Sequence, residues 1–272
     1  MHGKWAAIKN IIWAFGIIIC LLSLVVGLIV ASAIRYDGSG QIQRPGKAEE
    51  PAPVASVPGS NGGNGTLMSL GETADGGQGY IDSLTFLCDS ALIGLRDYGI
   101  LTGGAATSQV WGSSAGNIPA STIADCVIKY PADGSALPVS SAALAAQPAI
   151  LVVSLGCDSL ADTTQEDFIV NYTSLISAIR TASPSTKIVC CSISSVVTSY
   201  SGVDGLSVAL VSSANEWIRQ VCMDTGVYYA DVASVVCDSS GTLFSEYASA
   251  NGKTLNSAGI NEILLYLRTH TV

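Results

Sequence analysis

The first residue of the chain that could do chemistry is a serine that follows an apolar run. Ser90 and its neighbour Asp89 come directly after residues 84–88, which have the composition of a buried strand. A serine hydroxyl attacks an acyl carbon only when a neighbouring base takes its proton, and histidine is the usual base. An aspartate and a serine after a strand can also form an ordinary helix N-cap. This pair alone therefore does not decide between a nucleophile and a cap.

Composition limits the chemistry that the chain can carry. It has only two histidines, His2 and His270, and its eight cysteines include no C-x-x-C pair, so we predict neither a metal site nor a cofactor. Its 12 basic and 21 acidic side chains give a formal net charge of −9. Because nucleic-acid binding needs clustered Lys and Arg, we predict no nucleic-acid partner. A hydrophobic content of 49% excludes a wholly disordered chain.

The spacing of apolar residues predicts the elements that must position Ser90. Short apolar runs predict buried strands, and stripes at intervals of three to four residues predict amphipathic helices. The strands cover 84–88, 149–155, 187–193 and 227–231, and the helices cover 166–182, 208–225 and a segment that begins near Ser257. This alternation predicts a three-layer α/β/α sandwich with a mainly parallel sheet. In such a sheet the ligand crevice lies beyond the carboxyl ends of the strands.

The N-terminal part of the chain has a different character. Residues 11–34 contain no charged side chain, and a helix of this length spans about 36 Å, enough to cross a bilayer. A cleaved signal peptide is the alternative, but its apolar core is usually about 7 to 15 residues long. We therefore predict a signal-anchor with a cytoplasmic tail at 1–10, because Lys4 and Lys9 precede the helix. A flexible Gly/Pro/Ser-rich linker at 35–67 then leads to an extracellular domain at 68–272.

Four segments in chain order carry a resemblance to a known superfamily. They are Cys88-Asp89-Ser90 with the residues up to Leu95, the glycine-rich stretch that ends at Gly116, Gly156-Cys157-Asp158, and Asn251 to Gly259. Their order and spacing resemble the four blocks of the SGNH, or GDSL, hydrolases, and the chain is similar to bacterial members. The resemblance implies a flavodoxin-like fold and an acyl-ester hydrolase. It also implies that Ser90 is the nucleophile and that Gly116 and the residue at position 158 stabilise the oxyanion.

The same resemblance places other residue types where the family has its catalytic groups. Thr254 stands at the histidine position and Asn251 at the aspartate position, while Asp158 replaces an asparagine and Cys88 replaces a glycine. Threonine has no pKa near neutrality, so it cannot act as a general base. An ionised Asp158 would put negative charge where the transition state develops its own. We therefore expect a catalytically inactive or impaired domain.

Few other groups could replace the missing base. His270 lies 16 residues after Thr254, about 20 Å further along a helix, and His2 lies beyond the membrane helix. Lys253 is the remaining candidate, because a desolvated lysine can activate a serine. Cys88 and Cys157 flank the same crevice, either as a disulfide or, as we expect, as buried free thiols.

Three functions remain open from the sequence. The first is a membrane-tethered domain that binds an acylated cell-envelope glycan, another ester ligand or a protein partner. The second is an active ester hydrolase that uses Ser90 with an unusual base. The third is a purely structural role in an envelope complex.

Overall fold

The structure is a computed structural model and describes residues 65–272. The predicted cytoplasmic tail, the predicted membrane helix and all but the last three residues of the predicted linker lie outside the described residues. Between residues 65 and 272, no helix combines the length and the apolar character that crossing a bilayer requires.

A parallel sheet of six strands forms the centre of the domain. The strands in the described part of the chain are β1 (Met68–Ser69), β2 (Leu84–Cys88), β3 (Val110–Trp111), β4 (Val127–Lys129), β5 (Ala136–Pro138), β6 (Ile150–Ser154), β7 (Lys187–Cys191) and β8 (Tyr228–Ala230). The order in the sheet is β1-β8-β7-β6-β2-β3, and β4 and β5 form a separate antiparallel hairpin. From β2 the chain continues to β3 on one side and later to β6 on the other. This reversal beside β2 is the point at which parallel sheets usually bind ligands.

Helices cover both faces of the sheet. They are α1 (Gly77–Asp82), α2 (Gly94–Asp97), α3 (Val139–Ala146), α4 (Gln165–Ala182), α5 (Val208–Thr225) and α6 (Ser257–Thr269). Buried residues of α3, α4 and α5 pack in one core with Leu151 and Val153 of β6, whereas α1, α2 and α6 pack in a second core with Ile150 and Val152. Successive β6 side chains point to opposite faces, so the strand is buried on both sides. The predicted α/β fold with a mainly parallel sheet is therefore confirmed.

The long elements and the three-residue strand β8 match their predicted positions, whereas the other short elements were not predicted. The helix expected at 208–225 forms over that range, and α4 begins one residue earlier than expected. The hydroxyl of Thr164 accepts the Asp167 N–H at 3.1 Å and caps α4. The strands β1 and β3 contain two residues each, too few to show any periodicity. The β4–β5 hairpin, α1 and α3 were likewise not predicted.

Candidate active-site crevice

Ser90 lies just beyond the end of β2, and its side chain is partly buried. Its hydroxyl donates to Asp158 Oδ1 at 2.5 Å, and its backbone N–H donates to Asp158 Oδ2 at 3.1 Å. Both polar hydrogens of this residue are thus directed to one carboxylate. The structure brings together two predicted site residues that are 68 positions apart in the chain.

Asp158 lies beyond the end of the neighbouring strand β6 and is buried, with 6% of its surface exposed. Its Oδ2 atom also accepts the backbone N–H of Ile118 at 2.9 Å. The carboxylate therefore accepts two backbone N–H groups and one hydroxyl. These three hydrogen bonds fix the position of the Asp158 side chain between the ends of β2 and β6 and the loop that follows β3.

Asp89 ties the ends of β2 and β6 together. It is fully buried, and its carboxylate accepts N–H groups from Gly156 at 2.7 Å, Cys157 at 2.9 Å and Ala91 at 3.1 Å. Burial, and then the nearby charge of Asp158, raise the pKa of Asp89 to about 6. These backbone contacts give Asp89 a structural part in the crevice, because it fixes the turn that carries Asp158.

Gly116, the predicted oxyanion donor, lies in the loop that follows β3. Its φ of +77° belongs to the left-handed region that glycine enters easily. Its own N–H donates to the Ser113 carbonyl at 3.1 Å, and Ile118 is the residue of this loop that reaches Asp158. The oxyanion role of Gly116 stays a prediction. The sequence held no signal for Ile118, because a backbone N–H contributes at any residue type except proline.

Asn251 and Thr254 pair with each other in the loop before α6. Asn251 Nδ2 and Thr254 Oγ1 lie 3.0 Å apart, and Asn251 Oδ1 accepts the N–H groups of Lys253 and Thr254, both at 3.0 Å. These contacts close a turn around the two positions. In the part of the chain that the structure describes, no hydrogen bond joins either residue to Ser90.

Most of the site residues lie in a segment that matches a known protein family. Residues 116–259 match the GDSL-like lipase/acylhydrolase family, and this segment holds 144 of the 272 residues, including Asp158, Asn251 and Thr254. The chain belongs to the GDSL-like lipase/acylhydrolase family. Ser90 precedes the matched segment, so its place in this GDSL-like domain rests on its position after β2 and on its contacts with Asp158.

Solved structures add a likeness in fold. A proposed platelet activating factor from Streptococcus pneumonia is 15% identical, with 68% of this chain and 82% of that chain covered and a TM-score of 0.51. A proposed lipolytic protein of the G-D-S-L family from Desulfitobacterium hafniense DCB-2 is 14% identical, covers 70% of this chain and 99% of that chain, and has a TM-score of 0.47. None of the curated proteins compared with the chain matches it. At 15% identity, the structure from Streptococcus pneumonia shows a likeness in fold alone.

The remaining candidates for a base in the GDSL-like domain are engaged elsewhere. Lys253 Nζ lies 2.9 Å from Asp204 Oδ2. Desolvation alone would lower the pKa of Lys253, but the hydrogen bond and the charge of Asp204 raise it above its ordinary value. A lysine held in its charged form does not accept a proton from serine. His270 follows the far end of α6 and stacks on Tyr266, with ring centroids 3.8 Å apart.

The crevice also contains a thiol. Cys157 Sγ lies 3.5 Å from Ser90 Oγ, and burial, followed by the charges of Asp89 and Asp158, raises the pKa of Cys157 well above its ordinary value. The group therefore stays a thiol and is a poor nucleophile. All seven cysteines between residues 65 and 272 are free, so the alternative disulfide between Cys88 and Cys157 is not formed.

Asp89, Cys157 and Asp158 could in principle be metal ligands, since each offers an atom within 4.8 Å of the others. Their contacts fit a metal poorly. Both Asp89 oxygens accept backbone N–H groups, both Asp158 oxygens accept hydrogen bonds, and the Cys157 thiol stays protonated. A cysteine ligates a metal as its thiolate, and a carboxylate that accepts several hydrogen bonds is a poorer ligand than a free one. The cluster therefore serves to hold the ends of β2 and β6 together.

Proposed function

We propose that this chain is a GDSL-like domain that binds an ester-bearing or acylated ligand without hydrolysing it by the family's route. The observation that carries the proposal is the pair of hydrogen bonds from Ser90 to Asp158. In serine acyl transfer, the backbone N–H of the nucleophile commonly helps to bind the oxyanion. Here this N–H already donates to the Asp158 carboxyl group, which occupies the place of the oxyanion.

A carboxyl group at position 158 disfavours acyl transfer. An oxyanion that forms on a bound acyl group would have to displace the carboxylate or lie beside it, and like charges in a buried site repel strongly. The base is missing as well, because Thr254 has only a hydroxyl and Lys253 is paired with Asp204. Loss of triad residues typically lowers the rate by about 10⁴-fold or more. Both changes support a binding function.

The setting of this domain is part of the proposal. The apolar segment at 11–34 supports a single membrane anchor, and Lys4 and Lys9 support an extracellular position for the domain. Ligands within reach of such a domain are acylated glycans of a bacterial envelope or a neighbouring envelope protein. The crevice at the ends of β2 and β6 is the surface proposed to receive them.

A second function is favoured by one contact. The hydrogen bond of 2.5 Å between Ser90 Oγ and Asp158 Oδ1 would suit a serine whose base is Asp158 itself. A carboxylate is a much weaker base towards a hydroxyl than the histidine that usually serves a catalytic serine. Hydrolysis by this route would be slow, and it would need both Ser90 and Asp158.

Active-site labelling separates the two functions. We expect the full chain to show no labelling by a fluorophosphonate probe and no turnover of short-chain aryl esters beyond that of Ser90→Ala. The triple variant Asp158→Asn, Asn251→Asp, Thr254→His restores the family's residues and is expected to label at Ser90. Labelling of the unaltered chain that Asp158→Asn abolishes would refute the binding function and support hydrolysis with Asp158 as the base.

A further inference from the structure

A second cavity lies beyond the carboxyl ends of β7 and β8, against α5, and has a volume of about 300 Å³. Ser195, Asn215, Glu216, Arg219, Asp231 and Ser234 are among the residues that line it. None of Ser90, Asp158 and Thr254 lines this cavity. The ends of parallel strands are the usual position of ligand sites, and this volume lies at the lower end of the range for small-molecule pockets, about 300 to 1,000 Å³.

Two polar groups at the wall of this cavity lack hydrogen-bond partners among the described residues. Ser195 is 3% exposed, and its hydroxyl makes no hydrogen bond. The Nε–H of Arg219 is also buried and donates to no acceptor, with Glu216 Oε1 3.5 Å away. Most buried polar groups in folded proteins are satisfied, and leaving one unsatisfied is unfavourable. Two such groups at one cavity point to a partner that supplies the missing hydrogen bonds.

Arg219 is already held in place before any ligand arrives. Its guanidinium carbon lies 4.4 Å from the centroid of the Tyr229 ring, and Nη2 lies 3.2 Å from Asp231 Oδ2. Asn215 is fixed as well, because its amide exchanges hydrogen bonds of 2.7 and 3.0 Å with the backbone of Ile193. Groups that are ordered in advance lose little entropy on binding. The cavity wall is thus rigid around the two unsatisfied groups.

The charges and donors of the wall define the ligand's chemistry. Three acidic residues, Glu216, Asp231 and Asp238, line the cavity together with one basic residue, Arg219, so the cavity disfavours anions. An ammonium group would suit the carboxylates but cannot accept the Arg219 Nε–H. A hydroxyl both donates and accepts, so it can satisfy Arg219, Ser195 and Glu216 alike. We propose that this cavity binds a neutral polyhydroxylated ligand of the size of a single sugar ring.

Binding to the full chain can be measured by titration calorimetry and saturation-transfer NMR with D-glucose, D-galactose and myo-inositol. Isotherms must be saturable, because polyols also stabilise proteins by exclusion from their surface. Ser195→Ala removes the unsatisfied hydroxyl at the cavity. Ser194→Ala is its matched control, since Ser194 is also buried and unpartnered but does not line the cavity.

We expect saturable binding of at least one of these polyols to the unaltered chain and to Ser194→Ala. Ser195→Ala should weaken it about fivefold, because one hydrogen bond of about 1 kcal/mol is lost. The proposal is overturned if none of the three polyols binds saturably, or if Ser195→Ala binds as tightly as Ser194→Ala.

Discussion

The variant Ser90→Ala tests whether Ser90 stabilises the folded domain or acts as a nucleophile. The change removes the hydroxyl that donates to Asp158 Oδ1 at 2.5 Å. Asp158 is 6% exposed, so water replaces this donor poorly. A hydrogen bond to a charged group contributes about 1.5 to 3 kcal/mol, and we expect Ser90→Ala to lower the free energy of unfolding by about 2 kcal/mol. For a domain of this size that is a fall in Tm of about 4 to 8 °C.

Thermal unfolding of the full chain, followed by near-UV circular dichroism, measures this effect, because Trp111 is buried in the core and reports on tertiary packing. Ser194→Ala is the matched control: it removes a buried hydroxyl that has no partner, and we expect it to change Tm little. In a working hydrolase the nucleophile is often held at the expense of stability, so its removal is neutral or stabilising. A Tm of Ser90→Ala equal to or above that of Ser194→Ala would refute our account of Ser90.

Two further predictions concern the residues that hold the crevice together. The pKa of Asp89 is raised to about 6, so the folded domain binds a proton at Asp89 more tightly than the unfolded chain does. The free energy of unfolding should therefore fall by up to about 3 kcal/mol as the pH rises from about 4 to 6. Urea titrations across this range should show the fall in the unaltered chain and not in Asp89→Asn; an equal slope in both would contradict it. Gly156→Ala should destabilise the domain by more than about 2 kcal/mol in the same assay, since the new Cβ would lie 2.9 Å from the Phe168 ring at a φ of +121°. Gly71→Ala, where a Cβ meets nothing within 4 Å, is the control, and a similar loss in both variants would show that packing at Gly156 is not the cause.

Much of the fold could be predicted because its long elements carry strong hydrophobic periodicity. In α4, Phe168, Tyr172, Leu175 and Ile179 recur at intervals of three to four residues, and all four are buried. Periodicity needs length, however. β3 contributes only Val110 and Trp111, which pair with Phe86 and Leu87 of β2, and nothing local distinguishes two such residues from a loop. The partner strand creates this element, so single-sequence patterns do not reveal it.

Part of the candidate site could likewise be predicted from the sequence, and part could not. Ser90 and Asp158 could be placed at the same edge of the sheet, because each follows a buried strand and parallel strands end together. Their direct hydrogen bonds could not be predicted, since these depend on the turn that Asp89 fixes through the N–H groups of Gly156 and Cys157. The role of Ile118 was hidden for another reason. Its contribution is a backbone N–H, and the side chain of the residue carries no information about it.

The residues that stand in place of the family's catalytic groups form hydrogen bonds within the protein, and these bonds bear on the function of the crevice. Asn251 and Thr254 close their own turn, Lys253 pairs with Asp204, and Asp158 accepts both polar hydrogens of Ser90. A site that had merely lost catalytic groups would leave polar atoms of the crevice unpaired, and burying such atoms is unfavourable. Here Ser90, Asp158, Asn251 and Thr254 all have hydrogen-bond partners within the protein, without substrate or base. These internal hydrogen bonds support the proposed binding function, because they engage the Ser90 hydroxyl that acyl transfer would need to be free.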